Sequence, residues 1–152
     1  MSAPDFYFAI NAMFRHLHDR QGKPALVRYW RDLGRDYYRA RWQGWRDGGA
    51  AAVAADWADY FSREPGAVVR TAVTGDEAVL HVDTCPAIAH LRANDREIVP
   101  YFCEHCDHVG GAMAESAGFS FERLGGMGAC TQRFVQLRTP APAPGPAPGK
   151  VA

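Results

Sequence analysis

The hydrophobic period of this chain changes at Pro65-Gly66, and that change sets what it can fold into. Before it, apolar side chains recur every three to four residues, as one face of a helix demands. After it, segments rich in Val and Thr read as strands. A helical block followed by strand signals predicts an α+β fold, with an N-terminal helical layer, two antiparallel strand pairs, and helices carrying the cysteines. The chain has 152 residues, 47% hydrophobic with balanced charge, enough for one real core. A single domain is expected over residues 1–138, followed over 139–152 by a disordered Pro/Ala/Gly tail without periodic apolar residues.

Within the helical block, Phe6, Ile10, Met13, Phe14 and Leu17 share a face after the helix start at Ser2-Ala3-Pro4-Asp5, and Gly22 breaks the pattern. Pro24 suits the first turn of a second helix, whose stripe of Leu26, Trp30, Leu33, Tyr37 and Tyr38 runs on to about Trp45. Arg28, Arg31, Arg35, Arg39 and Arg41 fall on its other side, a solvated face from which one arginine could hold a substrate carboxylate. Asp47-Gly48-Gly49 ends that helix and the alanine-rich stretch from Ala50 makes a third. Phe6, Tyr7, Trp30, Tyr37, Tyr38, Trp42 and Trp45 are expected to pack in the core, with a pocket cover or the face of a homo-oligomer as alternatives.

Ala67–Thr74 and Ala78–Asp83 flank a hairpin turn at Thr74-Gly75-Asp76-Glu77, and Cys85-Pro86 follows the second strand directly. A short helix over Pro86–Arg92 and a longer one from Glu97 or Pro100 to Ser116 come next. Strands over Phe119–Leu124 and Thr131–Leu137 are then joined by the glycine-rich stretch Gly125–Ala129, which delivers Cys130.

The neutral balance of charge gives no basic stripe for phosphates, so nucleic acid is not an expected partner. The first twenty residues lack the features of a secretory signal, and no apolar run approaches the roughly 20 residues that span a bilayer. The expected setting is the cytoplasm, without membrane, where thiols stay reduced and cysteines read first as ligands, nucleophiles or small hydrophobes.

All four cysteines lie between positions 85 and 130, and Cys103-Glu104-His105-Cys106-Asp107-His108 packs two thiols, two imidazoles and two carboxylates together. On a helix, Cys103, Cys106 and Asp107 share a face, and His105 points to the opposite side. Zinc favours thiolate and imidazole ligands, and a catalytic zinc keeps one of four positions open. Cys85, Cys103 and Cys130 are therefore the expected metal ligands, with iron as an alternative metal. Cys106, Asp107 and His108 are left for catalysis. A closed structural zinc on all four cysteines in a sensing or scaffold domain is the rival, although only one Cys-x-x-Cys knuckle is present. A metal-free enzyme with Cys106 as nucleophile, assisted by His108 or Asp107, fits the same residues.

The strand entering Cys85-Pro86, Cys103 followed four positions on by Asp107, and a strand after a glycine turn carrying Cys130 together resemble the L-2-amino-thiazoline-4-carboxylate hydrolase-like family. The resemblance covers Val68 to Val135, and Cys106 and His108 fall outside its pattern. It implies an enzyme acting on carbon-sulfur bonds of small cyclic substrates, thiazoline or thiohydantoin rings bearing a carboxylate. Joined to the zinc reading, it predicts hydrolytic ring opening or desulfuration, with Asp107 or His108 moving protons and sulfide or a thiol leaving.

Overall fold

The computed structural model describes residues 4–138, so the expected tail over 139–152 lies outside the described residues. Its elements run α1 (Asp5–Gln21), α2 (Lys23–Asp32), a π-helical turn (Leu33–Tyr37), α3 (Arg39–Ser62), β1 (Val68–Thr74), β2 (Glu77–Thr84), α4 (Pro86–Ala93), α5 (Glu104–Ala117), β3 (Phe119–Gly126) and β4 (Ala129–Gln136). The fold is α+β, with the helical layer first. The two strand pairs join edge to edge, β2 against β4, into one antiparallel sheet of order β1-β2-β4-β3.

Both hairpins close through two-residue loops. Gly75 opens the first with φ +57°, a conformation glycine adopts without cost. In the second, Gly126 pairs with Ala129 and only Met127 and Gly128 remain in the loop, so β3 and β4 reach further into the glycine stretch than the sequence indicates. Met127 sits at φ +53°, a costly conformation for a side chain of its size.

One sheet face meets the helices. Ala78, Leu80 and Val82 of β2 alternate inward, and opposite them on β4 stand Phe134, Gln132 and Cys130. Phe121 and Arg123 of β3 extend the first two of these three rows, beside Phe134 and Gln132. α3 and α5 cover this face, α2 packs on α5, and α1 lies against α2 and α4. Phe14, Trp30, Trp45, Phe102, Met113 and Phe134 belong to one buried cluster spanning both halves of the chain. Trp42 belongs to it as well, whereas Phe6 and Tyr37 are exposed. Among the described residues, no helix is long and apolar enough to cross a membrane.

Three departures from the expected helices shape the site. The second helix does not run unbroken to Trp45; it widens into the π-helical turn at Leu33–Tyr37 and restarts at Arg39. Gly34 is why that turn can approach α5: a Cβ there would run into the Val109 carbonyl oxygen and press on the Ala112 Cβ at 3.0 Å. Trp42 Nε1 donates to the Arg35 carbonyl at 2.8 Å, capping a carbonyl in the widened turn. The break expected at Asp47-Gly49 appears as a kink inside α3, where Gly49 has φ +69°. Finally, α5 begins at Glu104 rather than at Glu97 or Pro100. Buried Asn11 holds the preceding segment, its Nδ2 donating to Glu97 O at 2.8 Å and its Oδ1 accepting from Val99 N at 3.0 Å. Cys103 is therefore the N-cap of α5 and not an interior residue.

Candidate functional site

The β3–β4 turn is the hub of the cysteines. Cys85 ends the β2–α4 junction and its N–H donates to Gly128 O at 2.8 Å. Cys103 Sγ accepts the Met127 N–H at 3.1 Å and lies 3.9 Å from Met127 Sδ. Cys130, two residues past the turn on β4, has Gln132 Nε2 at 3.8 Å. The strained turn thus touches the backbone of one expected ligand and the sulfur of a second, and it delivers the third.

Cys106, on the first turn of α5, lies within electrostatic reach of the other three thiols. Its neighbour His105 does not point away. His105 Nδ1 donates to Phe102 O at 2.6 Å, which leaves Nε2 as the free lone pair, 3.6 Å from Cys106 Sγ. The ring also packs on Phe14 and Phe102, at centroid distances of 5.4 and 5.2 Å. His105 and Cys106 are consecutive on α5, so the imidazole reaches the thiol from beside it and not across the helix.

Asp107 and His108 are engaged elsewhere. Asp107 accepts two hydrogen bonds from Arg123, at 2.8 and 2.7 Å, and Arg123, only 13% exposed, also donates to Gly125 O. That bidentate pair ties α5 to the end of β3. His108 stacks on Trp30 at 5.7 Å and an angle of 12°.

Cys85, His105, Cys106 and Gln132 line a cleft of about 200 Å³. Aromatic side chains, Tyr7, Tyr38, Trp57 and Tyr60 among them, form much of the rest, together with Arg41. The volume lies below the ~300–1,000 Å³ typical of drug-sized ligand sites, so it suits a single small ring. Asp107 and His108 do not line it. A more open groove of about 510 Å³, lined by Arg15, His16, Asp19 and Glu97, runs along the outside of α1 and contains no thiol.

Arg41 corrects the reading of the arginine run as solvated. Arg35 and Arg39 are surface residues paired with Asp32 and Asp36, but Arg41 is 19% exposed. Its Nε donates to Asp56 at 2.9 and 3.2 Å, and its guanidinium lies 4.5 Å from the Trp57 ring centroid, 4.9 Å from Tyr60 and 5.3 Å from Tyr38.

No family model, curated protein or solved structure matches this chain. The chemistry of the site therefore rests on its own geometry. Burial pushes the Cys106 and Cys130 thiols up to about 11 and raises those of Cys85 and Cys103. The nearby Arg123 charge pulls Cys106 and Cys130 part of the way back. Burial lowers the His105 pKa, so the pair at neutral pH is a thiol beside a neutral imidazole. Among the described residues, no three His, Cys, Asp or Glu side chains stand arranged as a ligand set. The Cys85, Cys103 and Cys130 thiols around the turn are donors of the kind a thiophilic metal takes.

Of the groups that matter here, His105, Gln132 and Arg123 carry no expected role, and Arg41 stands out from its run of arginines only through Asp56 and the aromatic rings around it. Gln132 had a signal: in a strand alternating Cys130, Gln132 and Phe134 toward the core, an inward polar residue must meet a polar partner or a ligand.

The shifted groups set a pH window for stability. A thiol whose pKa is higher folded than unfolded favours the fold fully below the ordinary value of 9.0, and that contribution is lost as pH rises through about 11. His105 acts in the opposite sense: its buried neutral form favours the fold above the ordinary 6.5, and the contribution is lost as pH falls through the lowered value. The melting temperature of metal-free protein is expected to be level between about pH 6.5 and 9 and to fall on both sides. Thermal melts across that range check this, and Cys106→Ala should lessen the alkaline fall.

Proposed function

We propose that this protein is an enzyme that cleaves a carbon-sulfur bond in a small cyclic sulfur compound of thiohydantoin or thiazoline type. The observation that carries the reading is a neutral imidazole beside the Cys106 thiol, lining with Cys85 a cleft sized for one ring while Cys103 and Cys130 lie within electrostatic reach of Cys106. The reaction would be hydrolytic: water adds at the carbon bearing sulfur, the carbon-sulfur bond breaks, and sulfide or a ring-opened thiol leaves carrying a proton.

Cys85, Cys103 and Cys130 are the residues that would hold zinc. The Met127 N–H that Cys103 accepts would stabilise its thiolate form. A zinc ion there would supply polarisation of the substrate sulfur and acidification of water. His105 Nε2 takes the proton from the attacking water and returns it to the departing sulfur, a task its lowered pKa and fixed tautomer suit. Asp107 acts as a positioning residue, holding Arg123 where its charge favours thiolates. The aromatic walls exclude bulk water from the ring.

The 3.6 Å approach of His105 to Cys106 favours a second, metal-free reading. There the Cys106 proton passes to His105, the sulfur attacks the ring carbon, the original carbon-sulfur bond breaks as His105 gives that proton to the departing sulfur, and water then hydrolyses the thiol adduct, one of its protons returning to Cys106. Sulfide release from 2-thiohydantoin, measured with metal content and X-ray absorption at the metal edge, tests both. Zinc bound by three sulfurs, and loss of zinc and turnover together in Cys103→Ser, support the first. Turnover without metal supports the second, and absence of both sulfide release from thiohydantoins and free thiol from thiazolines overturns the proposed activity.

A further inference from the structure

Among the described residues, three buried side-chain nitrogens have no hydrogen-bond partner in the protein: Nε1 of Trp30, Nη2 of Arg41 and Nε1 of Trp57. Two of the three belong to residues lining the aromatic cleft, and the Arg41 guanidinium lies over the Trp57 ring, 4.5 Å from its centroid. Arg41 Nη2 is ion-paired with Asp56 Oδ2 at 2.7 Å without making a hydrogen bond, and Asp56 accepts from Arg41 Nε and from Trp45 Nε1. A buried donor left unmatched costs on the order of 1–3 kcal/mol, so two beside one cavity mark where an acceptor oxygen sits.

The charges around these donors decide which kind of oxygen. Asp56 already balances Arg41, and Glu64 stands close by, accepting from the Tyr7 hydroxyl and within electrostatic reach of Tyr38 and Tyr60. One cation therefore faces two carboxylates. A carboxylate ligand would add a third negative charge in a poorly hydrated site, whereas a carbonyl oxygen accepts the same N–H groups without that penalty. The flat walls of Tyr38, Trp57 and Tyr60 suit a planar ring.

We propose that Arg41 and Trp57 form an acceptor subsite that selects an uncharged planar ring through a carbonyl oxygen, a lactam, imide or cyclic urea, in preference to a carboxylate-bearing one. The inference deepens the proposed activity, since it turns the carbonyl edge of a ring toward Arg41 while another edge meets the thiols. It also stands apart from the carboxylate that the family resemblance implies.

The test uses probes that contain no sulfur, so its outcome is independent of carbon-sulfur cleavage. Titrate hydantoin, 2-pyrrolidinone and pyroglutamate, the same lactam with a carboxylate added, into the ¹⁵N-labelled full chain and follow the four tryptophan indole resonances. Hydantoin and 2-pyrrolidinone are expected to move the Trp57 indole signal at millimolar concentration, with pyroglutamate at least fivefold weaker. Trp57→Phe, which keeps a ring but removes the donor, is expected to weaken hydantoin about fivefold to tenfold, the worth of one neutral hydrogen bond. Should that variant fail to fold, triple-resonance assignment of the wild-type indoles still reads the site. An unmoved Trp57 signal, unchanged affinity in Trp57→Phe, or tighter binding of pyroglutamate than of 2-pyrrolidinone would overturn the inference.

Discussion

Trp45→Ala is expected to lower the melting temperature by 10 °C or more and to cost the fold about 3–5 kcal/mol, the usual range for removing a large buried aromatic. Trp45 is 1% exposed and joins the two halves of the fold. Its ring meets Phe134 of the sheet edge-on at 5.4 Å and Trp57, further along α3, at 6.0 Å. Its Nε1 donates to Asp56 Oδ2 at 2.8 Å. Truncation opens a cavity under the sheet and also takes a donor from the carboxylate that fixes Arg41, a separate cost of about 1 kcal/mol. Against a total stability of about 5–15 kcal/mol this is a large share. Calorimetry would show it, and Trp45→Phe, which keeps most of the ring, should lose less. A fall of under 3 °C for the alanine variant would mean that the helical layer is held to the sheet by other contacts.

The parts of this fold that depend on near neighbours were legible in the sequence. The β1–β2 hairpin follows from Val, Thr and a glycine loop, and Cys85 stands at the strand-to-helix junction because Pro86 can open a helix but not continue a strand. What escaped depends on partners far along the chain. Gly34 reads as a neutral interruption until Val109 and Ala112 are seen against it. Arg41 sits on the polar side of its own helix, and only the kink at Gly49 brings Asp56 back to meet it. The late start of α5 depends on Asn11, almost ninety residues upstream, and the orientation of His105 on the Phe102 carbonyl that its ring meets. The cysteines were found by their density. Their neighbours, which decide what the thiols do, come from α1, α3 and the sheet.

His105→Gln is the variant expected to separate chemistry from structure. Glutamine preserves much of the volume and can still donate to the Phe102 carbonyl, but it offers no basic nitrogen to Cys106 or to water. Loss of a general base typically lowers turnover by roughly 10²–10⁴-fold, so sulfide release should fall by that factor while the melting temperature at pH 7.5 changes little and the zinc content stays as in the wild type. Cys106→Ala then divides the two mechanisms. If Cys106 is the nucleophile, its removal costs at least as much as that of His105, and the double variant is no worse than either alone, because the pair acts as one unit. If zinc on Cys85, Cys103 and Cys130 carries the reaction, Cys106→Ala keeps most of the His105-dependent turnover and Cys103→Ser loses it. Wild-type rates in His105→Gln would remove the imidazole from both mechanisms and leave the thiols without the base that the cleft provides.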